Sequence, residues 1–459
     1  MKLKRITLIR IIIMALLTFL GVLTETSMNV TFPTLMTQFN VSLVTVQWVT
    51  TGYLLVVSLL MLTSAFLNHR FTNRQLFVAA GCLFIAGDII CAVATSYWIL
   101  LMGRLIQAGC VGLAGPLMTN MIIDSVPTQK LGQYLGLGNL IVLVGPALGP
   151  SFGGLMVSWV NWRLIFWASL PIALVLVIAG MRVINSDSQV RADDYHFNWL
   201  SFSTLSGCIV SGMLAISQLS DFSQWRSLLG WTGMTLVFLA LFIWRTRYPT
   251  NQQFIKLEIL KSPLFLLSFI PYILMQFVNL GINFLLPNFV QIVDHAAPLF
   301  GGLILLPGSI INGFGQPLYG WILDKYGGKL PLYGGNLILM VIMLLSTIML
   351  PKMSVLAVAV MYTIFALGRS LAFSNTMTYG LKKLAPQVSA DANAVYSTGQ
   401  QIAGALGTNV VSVIVTSFSI HGLSKVENVA LGSRAVCGLV VVITIINCWC
   451  YFKLFRAAR

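Results

Sequence analysis

GLGNLIVLVGPALGPSFGG, residues 136–154, sets six glycines and two prolines into one apolar run. Glycine and proline are the poorest helix formers, yet the run has the length and apolarity of a membrane span. Glycines at 145, 149 and 153 recur every four residues and make one smooth stripe on a helix, along which a neighbouring backbone can approach closely. Pro146 and Pro150 each remove a helical donor and permit bends that neighbouring helices can offset in lipid. The run therefore reads as a tight, deformable seam between helices.

The rest of the chain puts this seam in lipid. Of 459 residues 57% are hydrophobic and 8% charged, against roughly 25% charged in soluble domains. A transmembrane helix needs about 20 mostly apolar residues, and fourteen such stretches are expected, from 11–33 to 431–452. The first lacks a small-residue cleavage site and reads as an uncleaved span. With both termini cytoplasmic, the inner loops carry 20 of the 27 Lys and Arg, the outer loops five, and two lie within spans. That asymmetry fits the positive-inside rule. It also accounts for the net charge of +15 through short loops facing anionic lipid, without nucleic acid as a partner.

The seven cysteines lie in or beside apolar spans without metal-ligand spacing, and the four histidines are dispersed. No zinc-hydrolase, Ser-His-Asp or phosphate-loop motif occurs, so neither an enzyme nor an ATPase is expected, and no metal or cofactor. The chain repeats itself instead. AFLNHRFTNRQLF from Ala65 and GWILDKYGGKLPL from Gly320 both end one span and enter the next, and Gly103-Arg104 has a counterpart in Gly368-Arg369. Spans one to six and nine to fourteen are then parallel repeats with an extra hairpin between them, a build typical of secondary transporters. The expected units are a six-helix bundle over 1–184, an inserted two-helix hairpin over 185–250 and a second six-helix bundle over 251–459, an all-α membrane fold.

These motifs resemble the major facilitator superfamily, in its fourteen-span drug/proton antiporter branch of the EmrB and QacA type. Gly136, Gly145, Gly149-Pro150 and Gly153-Gly154 fill the branch's fifth-span motif, GRLIQAGCVGLAG from Gly103 its fourth-span signature, NWRLIFWASLP from Asn161 its fifth-to-sixth junction, and QQIAGALG from Gln400 its thirteenth span. In that family the seam lies between the halves and seals the outer side. The family's cytoplasmic GxLxDRxGRK motif, which staples adjoining helices, is matched by Gly320, Asp324, Lys325, Gly327 and Lys329. Its first-half copy has Ala65, His69, Thr72 and Asn73 at motif positions and keeps Arg70 and Arg74. In TETSMNVTFP from Thr24 the acid stands at Glu25, one residue after its usual place, an offset shared with tetracycline pumps of the branch.

Charges inside spans demand partners or function, since a central charge costs at least about 2.5–3.5 kcal/mol. Glu25, Asp88 and Arg104 are expected in the outer half of the membrane, where carboxylate and guanidinium can meet. Burial favours a neutral carboxyl and a nearby cation a charged one. Glu25 is therefore the candidate proton carrier or else a permanent partner of Arg104, and Asp88 a second site or a structural partner. Arg369 reads as the counterpart of Arg104 or as a cavity residue. Amides form the rest of an uncharged polar lining: Asn29, Gln107 and Asn139 in the first half, Gln276, Asn279, Asn283, Asn312, Gln400 and Gln401 in the second. With Phe, Trp and Met these suit amphipathic, often cationic compounds.

The expected function is a proton-coupled exporter of hydrophobic drugs in a bacterial plasma membrane, powered by the proton gradient and acting as a monomer. A tetracycline or metabolite exporter, a proton-coupled uptake symporter and a non-transporting membrane sensor are the alternatives.

Overall fold

Apolar runs of this length satisfy their backbone in lipid as helices, and helices build the structure. It is a computed structural model describing residues 5–127, 130–184, 197–219, 225–247, 257–382, 386–418 and 423–457. In chain order the first helices are α1 (Arg5–Ser27), α2 (Phe32–Phe39), α3 (Leu43–Val46), α4 (Trp48–Arg70), α5 (Asn73–Ala92), α6 (Tyr97–Ser125), α7 (Leu131–Trp159) and α8 (Leu164–Val183). A pair follows, α9 (Trp199–Gln218) and α10 (Trp225–Arg247). The remainder are α11 (Pro263–Ile292), α12 (Pro298–Leu303), α13 (Leu306–Phe314), α14 (Gln316–Tyr326), α15 (Lys329–Met349), α16 (Val355–Lys382), α17 (Pro386–Ser417) and α18 (Lys425–Ala457).

Among the described residues twelve helices are long and apolar enough to cross a membrane. A thirteenth crossing is reached when the segments before and after Gly315, bent by 49°, are taken as one. The remaining expected stretch lies in α17, whose 32 residues suffice in length. Its first half, PQVSADANAVYSTGQQ, dilutes the apolar character that marks the others.

Helices α1 and α4–α8 pack on one another, and so do α11–α18. The α9–α10 pair leans on α4 and α17 through α9. Asn409 of α17 donates from Nδ2 to the Met213 carbonyl at 2.9 Å and accepts from Ser217 Oγ at 3.0 Å. Helix α10 beyond it turns Leu229, Leu236 and Val237 outward, as a lipid-facing helix does. The loops 185–196 and 248–256, where the expected unit boundaries fall, lie outside the described residues.

The two groups meet where α1, α7, α11 and α17 end and α4 and α12 begin. There Thr51 and Thr408 hydroxyls lie 2.7 Å apart, Asn288 Nδ2 donates to the Asn29 carbonyl (3.4 Å), and Gln291 Nε2 donates to the Val30 carbonyl (3.0 Å). The Leu299 amide donates to Ser158 Oγ (3.2 Å), Ser151 Oγ to the Gly302 carbonyl (3.4 Å). Phe32 packs on Phe284 at 5.6 Å beneath them. At the opposite end, where α8 returns beside the start of α1 through Arg10 and the Val183 carbonyl (2.7 Å), no hydrogen bond between described residues joins the groups. Among the described residues, the hydrogen bonds between the groups gather at one end.

A cysteine pair tests the tie. With Ser158→Cys and Leu299→Cys in a chain cleared of its seven native cysteines, a short thiol cross-linker should join α7 to α12 in most molecules, read as cross-linked peptides by mass spectrometry. Adding Gly302→Leu, whose side chain would meet the Pro150 backbone, should cut the yield. No cross-link in the pair itself would refute the arrangement.

Candidate functional site

The glycine run forms one continuous helix, α7, with both prolines inside it. Its stripe faces α1. A Cβ on Gly145 would lie 3.3 Å from the Leu23 amide nitrogen, one on Gly149 would collide with the Thr26 hydroxyl, and one on Gly153 with the Ser27 carbonyl. Ser27 Oγ donates to the Gly149 carbonyl at 2.8 Å. The next positions round the helix face the other group: a Cβ on Gly154 would meet the Pro298 carbonyl, and Gly302 lies against the Pro150 backbone. Helix α7 is therefore clamped between α1 and α12. Pro146 is half-buried. Gly136 departs from expectation: it is exposed, with open space where a side chain would be, and takes no part in the seam.

A polar knot stands close to the tied end. Arg104 sits seven residues into α6, about 10 Å from its start. It is fully buried, its Cζ 4.2 Å from the Tyr53 ring centroid. Its Nη1 donates to Gln107 Oε1, and Gln107 Nε2 donates in turn to Asp88 Oδ1. Ser169 Oγ donates to Asp88 Oδ2 at 2.7 Å. Here the structure corrects two expectations. Carboxylate and guanidinium do not touch but are bridged by an amide, and that amide, Gln107, is a fully buried connector, not part of a cavity wall. The helical spacing from 104 to 107 puts both side chains on one face, which is why one can hand the other's charge to α5.

Glu25 stands apart from the knot. It is buried (7% exposed) near the end of α1, within electrostatic reach of Arg104, yet among the described residues makes no hydrogen bond or ion pair. Arg104 Nη2 is likewise buried and lacks a partner. Among the described residues the Glu25 carboxyl and this guanidinium nitrogen are thus both without a hydrogen bond in one neighbourhood, and the nitrogen is sealed where buried polar groups are ordinarily paired. Asn29 is also spoken for, accepting from Thr50 Oγ1 at 3.0 Å, while Asn139 is exposed.

The second group of helices keeps a broader polar surface. Arg369 of α16 is buried, its Nη2 donating to Asn312 Oδ1 (3.2 Å) and its Cζ 4.8 Å from the Phe373 centroid. The same Asn312 oxygen accepts from Ser370 Oγ (2.7 Å) and Gln316 Nε2 (3.2 Å). Gln400 Oε1 accepts from the Tyr272 hydroxyl (2.6 Å), and Asn283 Oδ1 from that of Tyr362 (2.9 Å). Gln276 is buried, and Asn279 and Gln401 are half-buried. Tyr53, Ser169, Tyr272, Tyr362 and Phe373 were not singled out in sequence. Ser169 lay within the quoted NWRLIFWASLP motif; the aromatics carry no signal among 27 Phe and 13 Tyr.

At the end opposite the seam, Asp324 pairs with Lys382 Nζ at 2.7 Å, tying α14 to α16 within one group. Lys325 lies over the rings of Trp321 (4.7 Å) and Tyr326 (5.3 Å). Gly327 caps α14 at φ +74°, where a side chain would be strained. Gly320 has open space beside it, and Lys329, Arg70 and Arg74 are exposed. The side chains of Ala65 and His69 lie outside the described residues.

Two groups of packed membrane helices closed at one end around buried charges define a membrane transporter, and the comparisons agree. The chain belongs to the Major Facilitator Superfamily, whose model matches residues 14–196 and again 195–408. It is therefore a multi-pass membrane protein that carries small molecules, not an enzyme. It is 32% identical over 420 residues to the lincomycin resistance protein LmrB of Bacillus subtilis, covering 90% of this chain and 86% of that one. To the protein of that name in Listeria monocytogenes it is 31% identical, covering 87% and 84%. Among solved structures it is similar to a bacterial homolog of the human lysosomal transporter Spinster in an inward-facing, unoccupied conformation. That likeness has a TM-score of 0.69 and 17% identity, over 100% of this chain and 99% of that one.

The bonding pattern separates the two acids. Asp88→Asn puts an amide donor in place of one of the two oxygens that accept from Gln107 and Ser169 and should cost about 1–3 kcal/mol of stability, read as a lower melting temperature in detergent. Glu25→Gln breaks no such bond and should cost less. The reverse order would refute this division.

Proposed function

We propose that this chain is a proton-coupled antiporter that exports hydrophobic, often cationic drugs by alternating access, within the fourteen-span branch of its family. Its relatives' names support the cargo: lincomycin resistance proteins at 31–32% identity, and a Mycobacterium tuberculosis multidrug resistance protein B homolog at 23% over 90% of this chain. Counting α17 and the bent α12–α14 segment as spans gives fourteen crossings and puts both termini on one side. The basic loops favour the cytoplasm of a bacterial cell for that side. The tied end is then external and the cavity faces inward. The units are 1–184, 185–250 and 251–459, working as a monomer with no cofactor beyond the proton gradient.

The observation that carries the coupling is Glu25, a buried residue whose carboxyl makes no hydrogen bond among the described residues and lies within electrostatic reach of Arg104. Hydrogen bonds donated to a carboxylate favour its charged form. A carboxyl left free between burial and a nearby guanidinium changes state when the cavity inverts and its surroundings change. Asp88, doubly hydrogen-bonded, holds Arg104 in place through Gln107. In this reading the clamp of α7 between α1 and α12 is the external gate, and the Asp324 motif belongs to the cytoplasmic gate.

Expression in a pump-deficient bacterium should raise resistance to lincomycin or to a cationic dye such as ethidium. No change across a broad drug panel would remove the exporter reading. For coupling, purified protein in detergent with a pH dye should release protons on adding that substrate, and Glu25→Gln should abolish the release. A Gln variant that still releases protons would make Glu25 structural.

A further inference from the structure

The arginines of the two halves occupy matching places but different chemistry. Each follows a glycine and lies over an aromatic ring, Arg104 on Tyr53 and Arg369 on Phe373. Arg104 is compensated: an amide passes its charge to Asp88, and Glu25 is within reach. Arg369 has no such counterpart. Its electrostatic neighbours are the hydroxyls of Tyr272, Tyr319 and Tyr362, and among the described residues no carboxylate forms an ion pair with it. Leaving a buried cation without an anion is the costly arrangement, and intramembrane charges persist where something uses them.

The guanidinium is also unfinished as a donor. Arginine offers five N–H groups in a planar fork. Nη2 binds Asn312, while among the described residues Nε and Nη1 have no hydrogen-bond partner, and neither is sealed as Nη2 of Arg104 is. Beside the fork runs an aromatic wall. Tyr272 stacks on Phe373 with centroids 4.3 Å apart and planes within 12°, and Tyr396 meets Tyr272 edge-on at 5.0 Å. A planar fork beside stacked rings matches a carboxylate or phenolate carried on a flat aromatic system.

We infer that Arg369, with Asn312 and the Tyr272–Phe373 stack, forms a subsite for the acidic group of a planar aromatic substrate. The inference rests on the transporter reading and narrows its cargo: compounds that are acidic or zwitterionic are accepted along with cations. The carboxylate of the substrate supplies the counter-charge the protein lacks, and the edges of the stacked rings, whose faces are taken up by one another and by Arg369, meet the adjoining aromatic plane edge-to-face.

Calorimetry on the purified full chain with 2-naphthoate and the uncharged 2-naphthylmethanol tests it without any mutation. The acid should bind at least about tenfold more tightly, the difference expected of a charge-assisted contact; equal affinity overturns the inference. Arg369→Gln should lower naphthoate affinity by about the same factor and shift the ratio of naphthoate to ethidium uptake in proteoliposomes, with Arg369→Lys recovering part of both. A parallel loss of both probes, leaving the ratio unmoved, would mean a structural arginine and would also overturn it. The two readings fail separately. Wild-type protein that transports lincomycin or ethidium yet does not prefer the acid removes only the subsite. Selective naphthoate binding that depends on Arg369, in a protein that transports nothing, removes only the exporter.

Discussion

Helix α7 touches one helix on each side with almost no side chain in between, and the closed end of the molecule depends on that contact. Helices normally pack 8–10 Å apart because side chains separate them. At Gly149 and Gly153 the separation collapses until a single methyl would strike α1, and at Pro150 and Gly154 α7 meets the start of α12 in the same way. In lipid no hydrophobic effect drives helices together, so close packing and interhelical hydrogen bonds must do it. The Ser27 hydroxyl on the Gly149 carbonyl and the Ser158 hydroxyl under the Leu299 amide supply those bonds at the same seam. A contact made of backbone is also easily parted. It has no interdigitated side chains to withdraw, and the two prolines leave carbonyls unpaired where α7 can bend.

The charges depend on this closure in turn. Arg104, Asp88 and Glu25 are buried near the end that the seam seals, and the low dielectric there magnifies every interaction among them. The amide bridge avoids a direct ion pair: Gln107 satisfies Asp88 and Arg104 at once, leaving one guanidinium nitrogen unfilled toward a neighbourhood that also holds Glu25. A rigid pair would consume that donor and fix the charge state of its surroundings. Under the proposed alternating access, an incomplete one leaves room for a change of state when the seam opens.

Much of this was legible in the sequence because lipid imposes one-dimensional rules. Run length and the four-residue spacing of glycines translate directly into membrane-length helices and a smooth helix face. The glycine stripe at 145, 149 and 153 lies on one face against α1, as its period requires. What escaped was three-dimensional. Gln107 reads as one amide among many until α5 is laid beside α6, and Asn29 until Thr50 is placed against it. Gly136 matches the motif but lies where α7 has left its partner, since a motif records residue types and not where a packed face ends. Helix α17 is quiet on hydropathy for a related reason: Gln400 accepts from the Tyr272 hydroxyl inside the bundle, a pairing that a reading by apolarity alone passes over.

The asymmetry between halves follows from the same economy of partners. A duplicated fold places an arginine at equivalent points twice, but each copy must then settle its own desolvation. The first half settles it internally, with an amide, a carboxyl and a serine arranged around Arg104. The second settles it with neutral acceptors and ring faces, Asn312 and Phe373, which stabilise a cation without neutralising it. One half therefore holds its acids in reserve near the seam, while the other presents uncompensated positive charge beside stacked aromatic rings. In the proposed reading, the space between these two surfaces is polarised across its width. Under the proposed alternating access, a ligand with a cationic and an acidic end has a preferred orientation between the halves before either gate moves.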